Sequence, residues 1–243
     1  MWPAAVYTFL EFIDRDQRRK DAPLEKKVLD CGAGGAKPPL GLFYNHGYEV
    51  HGIDISDDQI TKAKEFGAKH RMELHICKGD MRNIPFEDEF FSFVFEYYSI
   101  CHLTKEDIQT AIKEMTRVLK KDGLLFLGFM SDESWPIFGE EKKSGEFWLS
   151  ERDDDIVVHS VFTDDETDEY LAGFNIVWKE KRISWIGESY RDVSKGEWME
   201  WYDEQPAMTR YSREDWSQMY EYRENKAMYT HIYYIARRPL DNQ

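Results

Sequence analysis

The chain has 243 residues, 42% hydrophobic and 15% aromatic, with a formal net charge of −15. That is enough apolar material for one large domain with a proper core, and it excludes a disordered chain. An acidic surface of this size repels phosphate backbones, which argues against nucleic acid as a partner.

The cysteines are Cys31, Cys77 and Cys101, with no C-x-x-C spacing. They read as buried reduced thiols, which points to a cytoplasmic protein. Met1-Trp2-Pro3 leads into an amphipathic stretch containing acids, unlike a signal peptide. No apolar run approaches the ~20 residues of a membrane span.

Residues 4–15 place Val6, Phe9, Leu10 and Ile13 on one helical face, so a lid or packing helix is expected. Residues 14–27 read as a charged linker. Strands are then expected over 27–31, 48–54, 73–77, 90–95 and 124–129. Helices are expected over 38–45, over 56–69 behind the capping box Ser56/Gln59, and from Thr104 to a stop at Lys120-Lys121-Asp122-Gly123. Such alternation, with the last two of these strands apolar throughout, predicts a parallel sheet covered on both faces. Ligands of such sheets bind beyond the carboxyl ends of the strands.

After Met130 the rhythm breaks. Residues 131–155 are acidic and aperiodic, 156–162 read as a strand, 163–171 as a capped short helix, and 174–185 as a long strand. Residues 186–226 read as irregular and aromatic, and 229–236 as a last strand that adds an antiparallel edge.

Chemistry-bearing residues cluster after the strands. Asp30-Cys31-Gly32-Ala33-Gly34-Gly35-Ala36 is a turn almost free of side chains. Glycine permits positive φ and lets a ligand lie against the main chain. Lys37-Pro38-Pro39 opens a helix, and the N–H groups just before the prolines are expected to face the ligand. Asp54 ends the second strand, where a carboxylate can grip a ribose diol. Gly79-Asp80-Met81 follows the third strand and Glu96-Tyr97-Tyr98 the fourth. Taken singly, Asp54 also reads as a surface turn acid and Asp80 as a helix or turn cap. The dinucleotide fingerprint G-x-G-x-x-G fails, because Lys37 occupies its third glycine position, and no G-K-[ST] of a P-loop follows.

The segments Val28–Ala36, Val50–Ser56, Lys78–Phe86 and Arg117–Leu125 together resemble the class I S-adenosylmethionine-dependent methyltransferases of the small-molecule, type 11 kind. The match covers roughly residues 25–130, with a weaker echo at His159 to Phe174. Departures are Ala36, where the family has a glycine, and the early Pro38-Pro39. The resemblance implies an α/β fold, a Rossmann-like doubly wound, mostly parallel seven-stranded sheet with an antiparallel C-terminal edge strand. It implies S-adenosyl-L-methionine as cofactor, S-adenosyl-L-homocysteine as product, and no metal. Asp30 would hold the cofactor's ammonium. Gly32, Ala33 and Gly34 would lie along its methionine part, and Asp54 would take the ribose hydroxyls. Asp80 would approach the adenine amino group with Ile55 and Met81 on the ring, and Glu96 and Tyr97 would sit near the sulfonium.

The organisation expected is a single domain over 1–243. Residues 1–25 are the N-terminal helix, 26–130 the cofactor core, 131–160 and 186–226 substrate-side insertions, and 161–185 and 227–238 the completion of the sheet. The insertions and the first helix would shape the acceptor pocket through Trp2, Trp135, Trp148, Trp198, Trp201 and Trp216. His102 and His159 are the candidate general bases, ahead of Tyr98. The expected function is N- or O-methylation of a small molecule, with a cofactor-binding sensor or, further off, an NAD-dependent oxidoreductase as alternatives. The oligomeric state is not readable.

Overall fold

The computed structural model describes residues 2–134, 137, 139–150, 156–185, 193–204, 212–222 and 227–240. Its centre is a parallel sheet of β1 (Lys27–Cys31), β2 (Glu49–Asp54), β3 (His75–Lys78), β4 (Phe91–Phe95) and β5 (Leu119–Ser131), in spatial order 3-2-1-4-5. Val28 pairs with Val50 on one side and Phe93 on the other. Successive residues of a strand feed opposite faces. Val28, Phe93, Phe95, Leu124 and Phe126 join one core cluster, while Leu29, Val94, Leu125 and Leu127 join the other. The double apolar face of β4 and β5 is therefore what the two-sided cover requires.

The first face is covered by α1 (Ala4–Gln17), α2 (Leu40–Asn45) and α3 (Asp57–His70). Val6, Phe9, Leu10 and Ile13 of α1 are all buried as the periodicity predicts. Phe9 stacks on Phe126 at 5.4 Å and meets Phe43 edge-on at 6.0 Å. Each such side chain contributes roughly 1.5–3 kcal/mol on burial, so α1 is a packing helix of the core. It runs two residues further than its periodicity implied, and Arg237 holds its end by donating to Asp16 Oδ1 at 2.6 Å. On the other face lies α4 (Lys105–Val118), capped by the Thr104 side chain accepting from the Asp107 amide at 3.1 Å.

The end of α4 corrects the expected stop at Gly123. Leu119 is already extended, and β5 starts there. Asp122, not the glycine, takes positive φ (62°). Gly123 is needed for closeness, since a Cβ there would lie 2.7 Å from the Ser92 carbonyl oxygen of β4.

The late strands are β9 (Asn175–Trp185) and β10 (Ala227–Arg237). As expected, β10 is antiparallel, pairing His231 with Met130 through Arg237 with Leu124 along β5. Its other side pairs antiparallel with β9, so β9 is the outer strand and β10 lies inside. Among the described residues the sheet counts ten strands rather than seven, because a meander of β6 (Glu140–Lys143), β7 (Glu146–Ser150) and β8 (Ile156–Phe162) joins it. β8 meets β5 only at Met130↔Val161 and Ser131↔Phe162. The short helix α5 (Glu166–Glu169) follows, with the Thr163 hydroxyl accepting from the Glu166 amide.

Residues 186–226, read as irregular, contain α6 (Lys195–Glu204) and α7 (Arg213–Tyr222). Trp198 and Trp216 stack at 4.5 Å, and each indole N–H donates to the other residue's carbonyl, at 2.8 and 2.7 Å. Two tryptophans thus make a small core of their own, without the long apolar stripe by which a helix is recognised. Cys31 and Cys101 are buried, but Cys77 is exposed because β3, which carries it, is itself an edge strand of the sheet. Among the described residues no helix is long and apolar enough to cross a membrane.

Candidate active site

The site is built on the turn after β1. Gly32 has φ 117° and Gly35 φ 98°, conformations that side chains resist. A Cβ on Gly32 would lie 2.1 Å from Ser99 Oγ, and one on Gly34 2.4 Å from Asp54 Oδ2. The amides of Gly32 and Ala33 both donate to the Ile53 carbonyl at 2.9 Å, Gly34 donates to Asp54 Oδ2 at 2.8 Å, and Gly35 to the Gln59 carbonyl at 2.9 Å. The loop amides expected to face a ligand are, from Gly32 to Gly35, committed to the protein. The missing side chains let the turn fold down onto β2 and leave backbone as the wall. The prolines serve the helix that follows: Pro38 and Pro39 offer carbonyls to the amides of Gly41 and Leu42 at 3.1 and 2.9 Å.

Asp54 Oδ1 also accepts from the Ser56 amide at 2.9 Å, so one carboxylate joins the β1 turn to the start of α3. Asp80 is held by Arg82, whose Nε and Nη2 reach Asp80 Oδ2 at 3.0 and 2.6 Å. These side-chain hydrogen bonds keep the Asp80 carboxyl below the usual carboxylate range. Arg82 Nη1 reaches Asp107 at 3.1 Å and so ties the β3 loop to α4.

Gly32, Asp54, Ile55, Asp80 and Met81 line a single cavity of about 590 Å³ at the carboxyl ends of the strands, within the range of ligand sites (~300–1,000 Å³). Two buried acids predicted for the site, Asp30 and Glu96, are not among the residues lining this cavity. Asp30 is 1% exposed and Glu96 0%. Burial, then the neighbouring Glu96 and Asp54 charges, pushes the Asp30 carboxyl well up. Burial raises Glu96 to about 7, against the amides of Ile100 and Ser99 that donate to its Oε1. Asp30 Oδ2 is buried with no hydrogen-bond partner among the described residues. Buried polar atoms are normally paired, and an ammonium donor at this oxygen would fit.

Of the other predicted residues, Ala33 is buried in the core, Gly34 backs Asp54, and Tyr97 stacks on Tyr233 at 6.2 Å. His102 lines the cavity, and its ring centre lies 4.9 Å from that of His159. Of the expected tryptophans, Trp148 lines the cavity. Trp2 instead packs edge-on to Phe66 at 5.7 Å, Trp198, Trp201 and Trp216 cluster on α6 and α7, and Trp135 lies outside the described residues.

Sequence reading missed Arg82, Gln59, Ser99, Leu103 and Val158 as lining residues. Gln59 and Ser99 stood beside the predicted motifs; Val158 carried no signal. It also missed Tyr98 meeting His231, with rings 4.3 Å apart and Tyr98 at φ 72°. Those two are 133 positions apart in sequence.

Residues 29–127 match the family model described as Methyltransferase domain. That segment, running from β1 into β5, is an S-adenosylmethionine-dependent methyltransferase domain. A demethylmenaquinone methyltransferase of Staphylococcus haemolyticus is 36% identical over 120 residues, 48% of each chain. The uncharacterized methyltransferase YcgJ of Bacillus subtilis is 31% identical over 104 residues, 42% of this chain and 40% of its own. This chain thus spans about half the length of the curated relatives it matches. Its fold is similar to the crystal structure of a SAM-dependent methyltransferase of Methanosarcina mazei, with TM-score 0.60, 19% identity, and 89% and 94% of the two chains covered. The YcgJ crystal structure is equally close in fold, with TM-score 0.60, 16% identity, and 95% and 99% covered.

The methyltransferase domain's cofactor is S-adenosylmethionine, a ligand bearing both an ammonium and a sulfonium. The donor set suits it: Asp54, Asp80 and Asp107 are among the cavity's lining residues, a charge balance that favours a cationic ligand over a pyrophosphate. Among the described residues no His, Cys, Asp and Glu cluster is fit for a metal.

Proposed function

We propose that this protein transfers a methyl group from S-adenosylmethionine to a small molecule. The observation that carries this reading is the cavity at the strand ends, lined by the bare backbone of Gly32 and by Asp54 and Asp80, with Asp30 Oδ2, two positions before Gly32, buried and without a partner among the described residues. Asp30 would hold the ammonium, Gly32 would give room to the amino-acid arm, and Asp54 and Asp80 would take ribose and adenine, with Ile55 and Met81 on the ring. Glu96 holds the turn after β4 from within, and with Tyr97 it borders the reacting end.

When bound, the cofactor supplies an activated methyl group on a good leaving group. The chain's own contribution is to position and to exclude water, and orientation alone can be worth about 7–11 kcal/mol. A base is needed only for an acceptor that arrives protonated. His102, on the cavity wall, with His159 against it, is placed to take a proton from an N–H or O–H acceptor.

The small-molecule reading is supported by the acidic surface and by the demethylmenaquinone in the name of the Staphylococcus haemolyticus relative. One domain over the whole chain, with the β6–β8 meander as a substrate-side insertion, fits this arrangement.

Calorimetry with S-adenosylmethionine, S-adenosylhomocysteine and NAD is the test. Binding of the first two and not of NAD is expected; tight NAD binding alone would overturn the reading. Incubation with methyl-labelled cofactor and a metabolite extract then separates an enzyme from a cofactor-binding sensor, since a sensor leaves every metabolite unlabelled.

A further inference from the structure

The cavity has two unlike walls. One carries Asp54, Asp80 and Arg82; the other carries Trp148 of β7, Val158 of β8 and Leu103 at the entry to α4. The second wall does not come from the parallel core. Trp148 and Val158 come from the meander, which pairs with β5 at Met130↔Val161 and Ser131↔Phe162, and Leu103 from the segment leading into α4.

Its position is nevertheless fixed. Glu146 Oε1 accepts from the Lys105 amide at 2.8 Å, and Ser160 Oγ donates to the Leu103 carbonyl at 2.6 Å. Both anchoring side chains are buried, Glu146 at 2% exposure and Ser160 at 0%. Lys142 lies over the Trp148 ring at 5.1 Å. Burying a carboxylate is costly, and here it secures the hairpin against the first turn of α4, which keeps Trp148 in the cavity lining.

A nucleoside's diol and amino groups find their partners on the acidic wall. In-line transfer requires a second molecule in the same cavity, with reacting atoms about 3–3.5 Å apart. Trp148, Val158 and Leu103 are the apolar part of the lining left for it, with His102 and Thr104 among its polar members. Aromatic faces favour stacked or edge-on rings.

We propose that Trp148, Val158 and Leu103 form the seat of the methyl acceptor, and that the acceptor is a planar, largely apolar ring bearing a hydroxyl or amine. This rests on the methyltransferase reading above.

The test is calorimetric, on the full chain, with 2-naphthol as probe and S-adenosylhomocysteine at saturation. Naphthol should bind the native protein. Trp148→Ala should weaken naphthol tenfold or more while the S-adenosylhomocysteine Kd stays within twofold, and Trp148→Phe should restore most of the naphthol affinity. Should Trp148→Ala fail to fold, Val158→Ala carries the same comparison with a several-fold loss expected. The proposal is overturned if naphthol does not bind the native protein, if the variants bind it equally well, or if they lose both ligands together, which would assign the wall to the cofactor. Failure of S-adenosylhomocysteine to bind the native protein is a separate result that sinks the methyltransferase reading and this proposal with it.

Discussion

Asp54 accepts the Gly34 amide at 2.8 Å, and a Cβ on Gly34 would lie 2.4 Å from that same carboxylate oxygen. The acid and the glycine are therefore one device, in which the missing side chain admits the carboxylate that fixes the turn. Charge-assisted hydrogen bonds are worth about 1.5–3 kcal/mol. Asp54→Ala should weaken S-adenosylhomocysteine binding roughly tenfold to a hundredfold by calorimetry. Gly34→Ala should give a loss of the same order by displacing Asp54. Native affinity in either variant would remove Asp54 from the site.

Arg82 bridges Asp80 and Asp107, and so the β3 loop and α4. The pairs are about a third exposed, so solvent screens them and the expected stability loss in Arg82→Ala is only about 1 kcal/mol. The larger effect should be on nucleoside binding, several-fold weaker as Asp80 loses its hold. Arg82→Lys should not rescue it, because an ammonium cannot reproduce the fork. Rescue by lysine would reduce the contact to simple charge.

Glu96 links stability to pH. Its carboxyl is raised from 4.5 to about 7 by burial, so between those values the folded chain keeps a proton that the unfolded chain has released. Stability of the ligand-free protein should therefore fall as pH rises from about 4.5 to 7, by about 3 kcal/mol from this group. Asp30, raised in the same direction, adds to the slope. Denaturant titrations across that window should show a shallower slope for Glu96→Gln. An unchanged slope would mean that Glu96 is not the titrating group.

Trp198→Ala should open α6 and α7 while sparing the sheet, because the Trp198–Trp216 stack and its reciprocal hydrogen bonds are the centre of that pair. A truncated buried tryptophan costs about 3–5 kcal/mol. Hydrogen exchange should accelerate over 195–204 and 213–222 and stay native in β4 and β5. Acceleration throughout would show that the helix pair supports the core.

The five parallel strands, the α3 and α4 caps and the row of acids at the strand ends were legible in the sequence, because each depends on local rules. Period-two and period-three-to-four patterns, capping residues and glycine act over a few positions. The α4 stop was misread because Lys120-Lys121-Asp122-Gly123 imitates a helix end, whereas Gly123 answers to the approach of Ser92 on the next strand. Residues 131–155 and 186–226 were opaque for a related reason. Their strands and helices are stabilised by a few partners far away in the chain or by one tryptophan pair, not by a repeating stripe.

The sequence alone thus supplied a bare turn and acids at successive strand ends, and the family resemblance of those segments pointed to the ligand class. Only tertiary structure decided how those groups are used, because burial and pairing belong to the packed molecule. It drew Asp30 and Glu96 away from water, committed Arg82 to Asp80, set His102 against His159, and brought Trp148 across to close the cavity.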